Sequence, residues 1–149
     1  MRTMIFTLLT CLALFLLAGQ VSGQDQERPS FSGTWQFDAS KSELHLSKIS
    51  SATWVIEEGD NSIHISQTEN GKPKKTELQC STDGKECKFP GDRRDSFWYN
   101  GAMLVDMETK NTNVIRYRMK VSDDGKTLTV EVNQIVPQND KMDSMVFQK

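Results

Sequence analysis

Residues 112–136 read TNVIRYRMKVSDDGKTLTVEVNQIV, two alternating runs joined by Ser122-Asp123-Asp124-Gly125. In the first run Ile115, Tyr117, Met119 and Val121 share one face, and Arg116, Arg118 and Lys120 share the other. In the second, Leu128, Val130 and Val132 oppose Thr127, Thr129, Glu131 and Asn133. A period of two with one apolar and one polar face marks half-buried antiparallel strands. Asp-Gly in the connection supplies the positive φ that a tight hairpin turn requires.

The same alternation runs outward in both directions. Phe31 to Asp38 places Trp35 and Phe37 on one face, Ala52 to Glu58 places Trp54 and Ile56, and Ser62 to Thr68 places Ile63 and Ile65. Lys74 to Cys80 follows with Thr76 and Leu78, then short runs at 87–89, 96–100 and 102–108, and a last one at 143–148 with Met145 and Phe147 inward. Gly59-Asp60-Asn61, Asn70-Gly71-Lys72 and Pro90-Gly91 read as turns. Ala39 to Ser50 is the least regular segment, either a short helix around Lys41 to Leu46 or an extended flap. A meander of such strands removes its exposed edges only by closing on itself. The expectation is therefore all-β: a single antiparallel up-and-down barrel of about 8–10 strands, with the last strand pairing with the first. A two-sheet sandwich is the second choice.

Residues 1–23 stand apart. Arg2 precedes an uncharged apolar run from Ile5 to Leu17, and Val21-Ser22-Gly23 puts small residues before a cleavage point, the pattern of a signal peptide. The run is short for a bilayer span, and Cys11 after Thr10 is a poor lipid-attachment site. The expected domains are a signal peptide at 1–23, a disordered leader at 24–30 and the barrel at 31–149, in a secreted or periplasmic protein with no stable membrane insertion after cleavage. Loss of Arg2 takes the formal charge from −2 to −3, with no long run of either sign, so there is no electrostatic case for nucleic acid. The apolar share, 36% over the whole chain, falls further without the leader and suits a thin shell around a cavity. Cys80 and Cys87 flank an Asp-Gly turn and, in an exported chain, read first as a disulfide. A redox pair would need closer spacing, and a metal site lacks neighbouring His or Cys ligands.

Gly33-Thr34-Trp35 resembles the Gly-x-Trp signature of the lipocalin and wider calycin barrels. From Phe31 to Lys149 the chain is also similar to a family of small secreted bacterial lipocalin-like proteins. Those open with Gly-Thr-Trp, continue with a segment like Ala39-Ser40-Lys41-Ser42 and carry turns like Asp83-Gly84-Lys85 and Asp124-Gly125-Lys126. The resemblance implies a closed barrel in which Gly33 and Trp35 form a structural plug at one end. It implies no settled ligand.

Catalytic signals are weak. His64 alternates with Ile63 and Ile65 and points outward, and His45 lies in the irregular segment, so both read as surface residues. No nucleophile-elbow, zinc-helix or phosphate-loop spacing occurs, and the chain is read as a non-enzyme without metal or cofactor. Asp92-Arg93-Arg94-Asp95 reads as a self-compensated solvated loop, or else as an anion-binding or docking loop. Phe97-Trp98-Tyr99 cannot all face one way; one ring stays half-exposed or helps form an aromatic rim at a cavity mouth. Met103, Met107, Met119 and Met145 are expected inward, where flexible thioethers suit an adaptable interior.

The resulting expectation is a monomeric barrel binding a small apolar or amphipathic ligand. Trp54, Ile65, Leu78, Met103, Val105, Tyr117, Met119 and Val130 would line it, with Trp98 or Tyr99 at the mouth. The alternative is a protein-binding module, for example an inhibitor of an extracellular hydrolase, using the 90–100 loop with Arg93, Arg94 and Trp98 as anchors. A barrel enzyme such as a lipid isomerase ranks third, since no catalytic constellation supports it.

Overall fold

The computed structural model describes residues 28–149; the leader read at 1–23 and residues 24–27 lie outside the described residues. Eleven strands follow in order: β1 (Gly33–Phe37), β2 (Ala52–Glu58), β3 (Ser62–Glu69), β4 (Lys72–Pro73), β5 (Leu78–Ser81), β6 (Asp83–Phe89), β7 (Arg93–Asn100), β8 (Met103–Lys110), β9 (Asn113–Val121), β10 (Thr127–Val136) and β11 (Met142–Gln148). They form one antiparallel curled sheet in the order β4-β3-β2-β1-β11-β10-β9-β8-β7-β6, with β5 also paired to β3. This is an antiparallel up-and-down barrel.

The 112–136 hairpin forms as its alternation dictates. Val121 pairs with Leu128, Met119 with Val130 and Tyr117 with Val132. At the turn Gly125 takes φ +70° and donates its N–H to the Ser122 carbonyl at 2.8 Å. The first and last strands pair, Phe37 opposite Phe147 and Gln36 opposite Gln148.

Three boundaries differ from the sequence reading. The strand expected at 87–89 begins at Asp83 and takes in the Asp83-Gly84-Lys85 segment read as a turn, with the register to β7 shifting between Asp83 and Glu86. The strand expected at 74–80 is split: β4 pairs with Thr68 and Glu69, while β5 pairs with Ser62 to Ile65. Pro73 has no N–H to extend the ladder, and the exposed Lys74-Lys75 pair lies between the two pieces. The strand expected at 96–100 starts earlier, at Arg93, so the 90–100 segment is a turn followed by β7. β5 and β6 share no ladder among the strand pairs. The Cys80–Cys87 disulfide crosses that seam, with the two Cα atoms 5.7 Å apart.

One end of the barrel is solid. Phe31, Trp35, Phe97, Leu104, Leu128 and Phe147 are fully buried there. The Trp35 indole N–H donates to the Phe31 carbonyl at 2.8 Å, and the Lys149 ammonium sits 4.9 Å from its ring centre. Gly33 adopts φ +144°, a backbone conformation that residues with a Cβ rarely take, which favours glycine there. Residues 28–30, read from sequence as the end of a disordered leader, are placed against this end. The Arg28 guanidinium lies 3.3 Å from the Tyr99 ring centre, and the Ser30 hydroxyl donates to Glu58 Oε2 at 2.9 Å.

Candidate functional site: a half-polar cavity at the open end

Strand alternation decides which side chains reach the interior, and at the end opposite Trp35 they leave a cavity of about 590 Å³. That lies within the roughly 300–1,000 Å³ typical of small-molecule sites. Trp54, Ile65, Leu78, Ile115, Met119 and Met145 form an apolar wall; Arg93, Asp106, Glu108 and Tyr117 form a polar one. Lys48, Lys74, Lys75 and Lys110 stand at the mouth, all exposed.

The irregular 39–50 segment helps line this end. A single 3₁₀ turn at Ala39–Lys41, capped by the Asp38 carboxylate, gives way to an extended flap whose Leu46 to Ile49 border the cavity. Asp143 holds the flap. Its carboxylate accepts the backbone N–H groups of His45 at 2.5 Å, Leu46 at 2.6 Å and Ser47 at 3.0 Å, and the Ser47 hydroxyl at 2.6 Å. Glu43 and Ser144 add a reciprocal backbone pair at 2.8 Å each way. A buried carboxylate with this many donors is satisfied as an anion.

The polar wall is an ion cluster inside the barrel. The Arg93 Nε donates to Asp95 Oδ1 at 2.8 Å and its Nη2 to Asp95 Oδ2 at 2.6 Å. The same Nη2 reaches Glu108 Oε2 at 3.1 Å, and the Tyr117 hydroxyl donates to that oxygen at 3.1 Å. Burial alone would make Arg93 easier to deprotonate, but its hydrogen bonds to Asp95 and the charges of Glu108 and Asp95 hold it above its ordinary value. Burial, then the nearby charges of Glu108 and Asp106, push the Tyr117 phenol well up. Asp106 is 3% exposed. Burial first, and the Asp95 charge second, raise its carboxyl well above the usual range. Its Oδ1 is buried with no hydrogen-bond partner.

Of the residues expected to line the interior, Trp54, Ile65, Leu78, Tyr117 and Met119 lie on the cavity wall. Val130 is fully buried in the apolar layer, away from that wall. Met103, Val105 and Met107 face outward, contrary to expectation. The ladder sets Leu104 opposite Met119 and Asp106 opposite Tyr117, so the even-numbered residues of β8 point in. Sequence reading assumed that the apolar members of β8 must be the inner ones, whereas the inner set includes two carboxylates. Val105 is nonetheless buried, packed on the outer surface in register with Trp98 and Arg118.

The aromatic rim does not form. Phe97 is in the solid core and Trp98 is on the outer face. Tyr99 sits at the closed end, 6.3 Å from Phe31, with its hydroxyl on Glu58 at 2.7 Å. The anchors of the docking alternative also fail to converge. Arg93 points into the barrel, while Arg94 points out toward Glu86 at 3.6 Å. The self-compensated loop at 92–95 is therefore a turn feeding a strand, with Arg93 and Asp95 buried rather than solvated. His64 lies between Glu57 and Glu77 at 3.1 and 3.2 Å on the outside of β3, and His45 is exposed beside Glu43 at 2.8 Å. Sequence reasoning missed the inward Arg93, Asp106 and Glu108. Carrying the legible inward phase of Tyr117 across one ladder to Asp106 would have found the second.

No protein-family model matches the chain, and no curated protein matches it in sequence. Solved structures do match in shape. Fatty-acid-binding protein 1 of Echinococcus granulosus superposes with a TM-score of 0.62 at 15% identity, covering 80% of this chain and 96% of that one. A secretory abundant heat-soluble protein of Ramazzottius varieornatus gives 0.62 at 14%, covering 80% and 94%. The apo form of lipid binding protein 8 of Caenorhabditis elegans gives 0.59 at 14%, also covering 80% and 94%. At these identities the likeness is one of fold.

Proposed function

We propose that this protein is an exported, monomeric barrel that binds one small apolar or amphipathic molecule in the cavity opposite Trp35, and that it acts as a carrier rather than an enzyme. The observation that carries this reading is the asymmetry of the interior: solid with aromatic rings at one end, hollow at the other. Trp54, Ile65, Leu78 and Met119 border this void with only 1–3% of their surface exposed, so an apolar ligand gains there chiefly by dispersion contact with their close-packed side chains. Two structural neighbours, a fatty-acid-binding protein and a lipid binding protein by name, are in keeping with it. Export is supported by the sequence pattern of residues 1–23, as in the bacterial family that the chain resembles, and by a disulfide across the β5–β6 seam, a bond that persists in oxidising compartments.

Titration with a fluorescent apolar probe tests the reading. One saturable site is expected, abolished by Thr76→Trp, which places an indole at the cavity edge in the segment outside the ladder. Met103→Ala on the outer face should leave it intact. Saturable uptake that survives Thr76→Trp, or no uptake by the unaltered protein, contradicts it.

A further inference from the structure

The polar wall narrows the ligand class. Resting on the binding reading above, we infer that the cavity takes an amphiphile whose polar end is cationic and donates hydrogen bonds, of the alkylamine type, in preference to a carboxylate. Among the described residues Arg93 is the cation of the polar wall, and it already faces two carboxylates, Asp95 and Glu108. A ligand carboxylate seated against this wall finds Arg93 already shared between two fixed anions; the cations left over on the lining, Lys48, Lys75 and Lys110, are exposed at the mouth. An ammonium group meets the reverse: Glu108, and an Asp106 oxygen that is buried beside the cavity without a partner. A buried acceptor left unpaired is costly, and a donor on the ligand relieves it.

The charges facing Asp106 are Arg93 and Asp95 from β7 and Glu108 on its own strand, with the Tyr117 phenol opposite it on β9. Asp143 on β11 is occupied by the flap amides. Burial and the charge of Asp95 favour the protonated form of Asp106 in the empty cavity. An arriving ammonium favours the ionised form, so Asp106 releases its proton to solvent while the ligand keeps its own. Trp54 Nε1, a second unpartnered polar atom on the wall, is uncharged and can serve a neutral acceptor on the same ligand. The mouth lysines carry positive charge, but they are exposed and Lys74 is paired with Glu69 at 3.0 Å. Their pull on anions is a low-salt effect at the rim.

The test is isothermal titration calorimetry of the protein with decylamine, decanol and decanoate at neutral pH and about 0.15 M salt, each in two buffers of unlike ionisation enthalpy. Decylamine should bind at least about tenfold tighter than decanoate, the size of effect that one nearby opposite charge has on an ionisation. Proton release should accompany decylamine but not decanol. Asp106→Asn, checked for folding by circular dichroism, should abolish the proton release and narrow the gap between decylamine and decanol. Glu108→Gln should narrow it too. Decanoate binding as tightly as decylamine, or amine binding without proton release, overturns the inference and leaves the carrier reading standing. Failure of all three ligands to bind overturns both.

Discussion

Glu58 shows how a single side chain ties the N-terminal segment to β7 at the closed end. It accepts the Ser30 hydroxyl at 2.9 Å, the backbone N–H groups of Phe31 at 2.7 Å and Ser32 at 3.1 Å, and the Tyr99 hydroxyl at 2.7 Å. Burial pushes its carboxyl up, but these donors outweigh burial and leave it below its ordinary 4.5. In the same exchange Tyr99 is pushed up, by burial and then by Glu58. With the folded value depressed, the unfolded chain binds more protons below about pH 4.5, so the contribution is present above that pH and is lost as pH falls. Glu58→Gln should therefore flatten the acid limb of the stability curve; an unchanged limb would contradict the assignment. Asp106 has the opposite sign. Its folded value is raised above 3.8, so the folded state keeps a proton that the unfolded chain gives up, and stability falls as pH rises above that value. Asp106→Asn should stabilise the empty protein by an amount that grows with pH in urea titrations; a constant or negative difference would count against it. Such a residue was not legible from alternation alone, because the rule sorts side chains by polarity and this one is polar and inside. Trp54, Ile65 and Met119 were legible for the same reason, since their polarity and their position agree.

Elements differ in how far their sequence determines them. The β9–β10 hairpin was readable in phase and register, because its apolar and charged faces are unmixed and its Asp-Gly turn fixes the connection. β8 was not, since Leu104, Val105 and Met107 put apolar residues on both faces and only the pairing with β9 decides between them. The 42–50 flap has no period of its own and takes its shape from a partner about a hundred residues away, Asp143. Asp143→Ala should free three backbone amides and one hydroxyl, at a cost of about 2 kcal/mol or more, since hydrogen bonds to a charged group contribute roughly 1.5–3 kcal/mol each. Amide exchange at 45–47 should quicken most; unchanged exchange there would remove Asp143 from this role. The seam between β5 and β6 relies on Cys80–Cys87 instead of a ladder. Replacing both cysteines with serine should lower stability by about 2.5 kcal/mol on the chain-entropy relation for so short a loop, read as a shift in the denaturant midpoint.

At the scale of the whole molecule, the chain makes a tube that is packed with rings around Trp35 and hollow beneath the flap. The pairing of first and last strands was legible from the meander of short strands; the seam between β5 and β6, where the curled sheet lacks a ladder, was not. The division into a solid and a hollow half was not, because it depends on side chains from eight or more strands meeting in space. The most direct measurement is a titration of methyl-labelled protein with decylamine, followed by NMR. Expected are shifts saturating at one equivalent, confined to Ile65, Leu78, Ile115 and Met119, with Leu104 and Leu128 in the solid half unmoved. Shifts spread over the outer-face Met103 and Val105, or none at the cavity methyls, would contradict a ligand held inside the barrel.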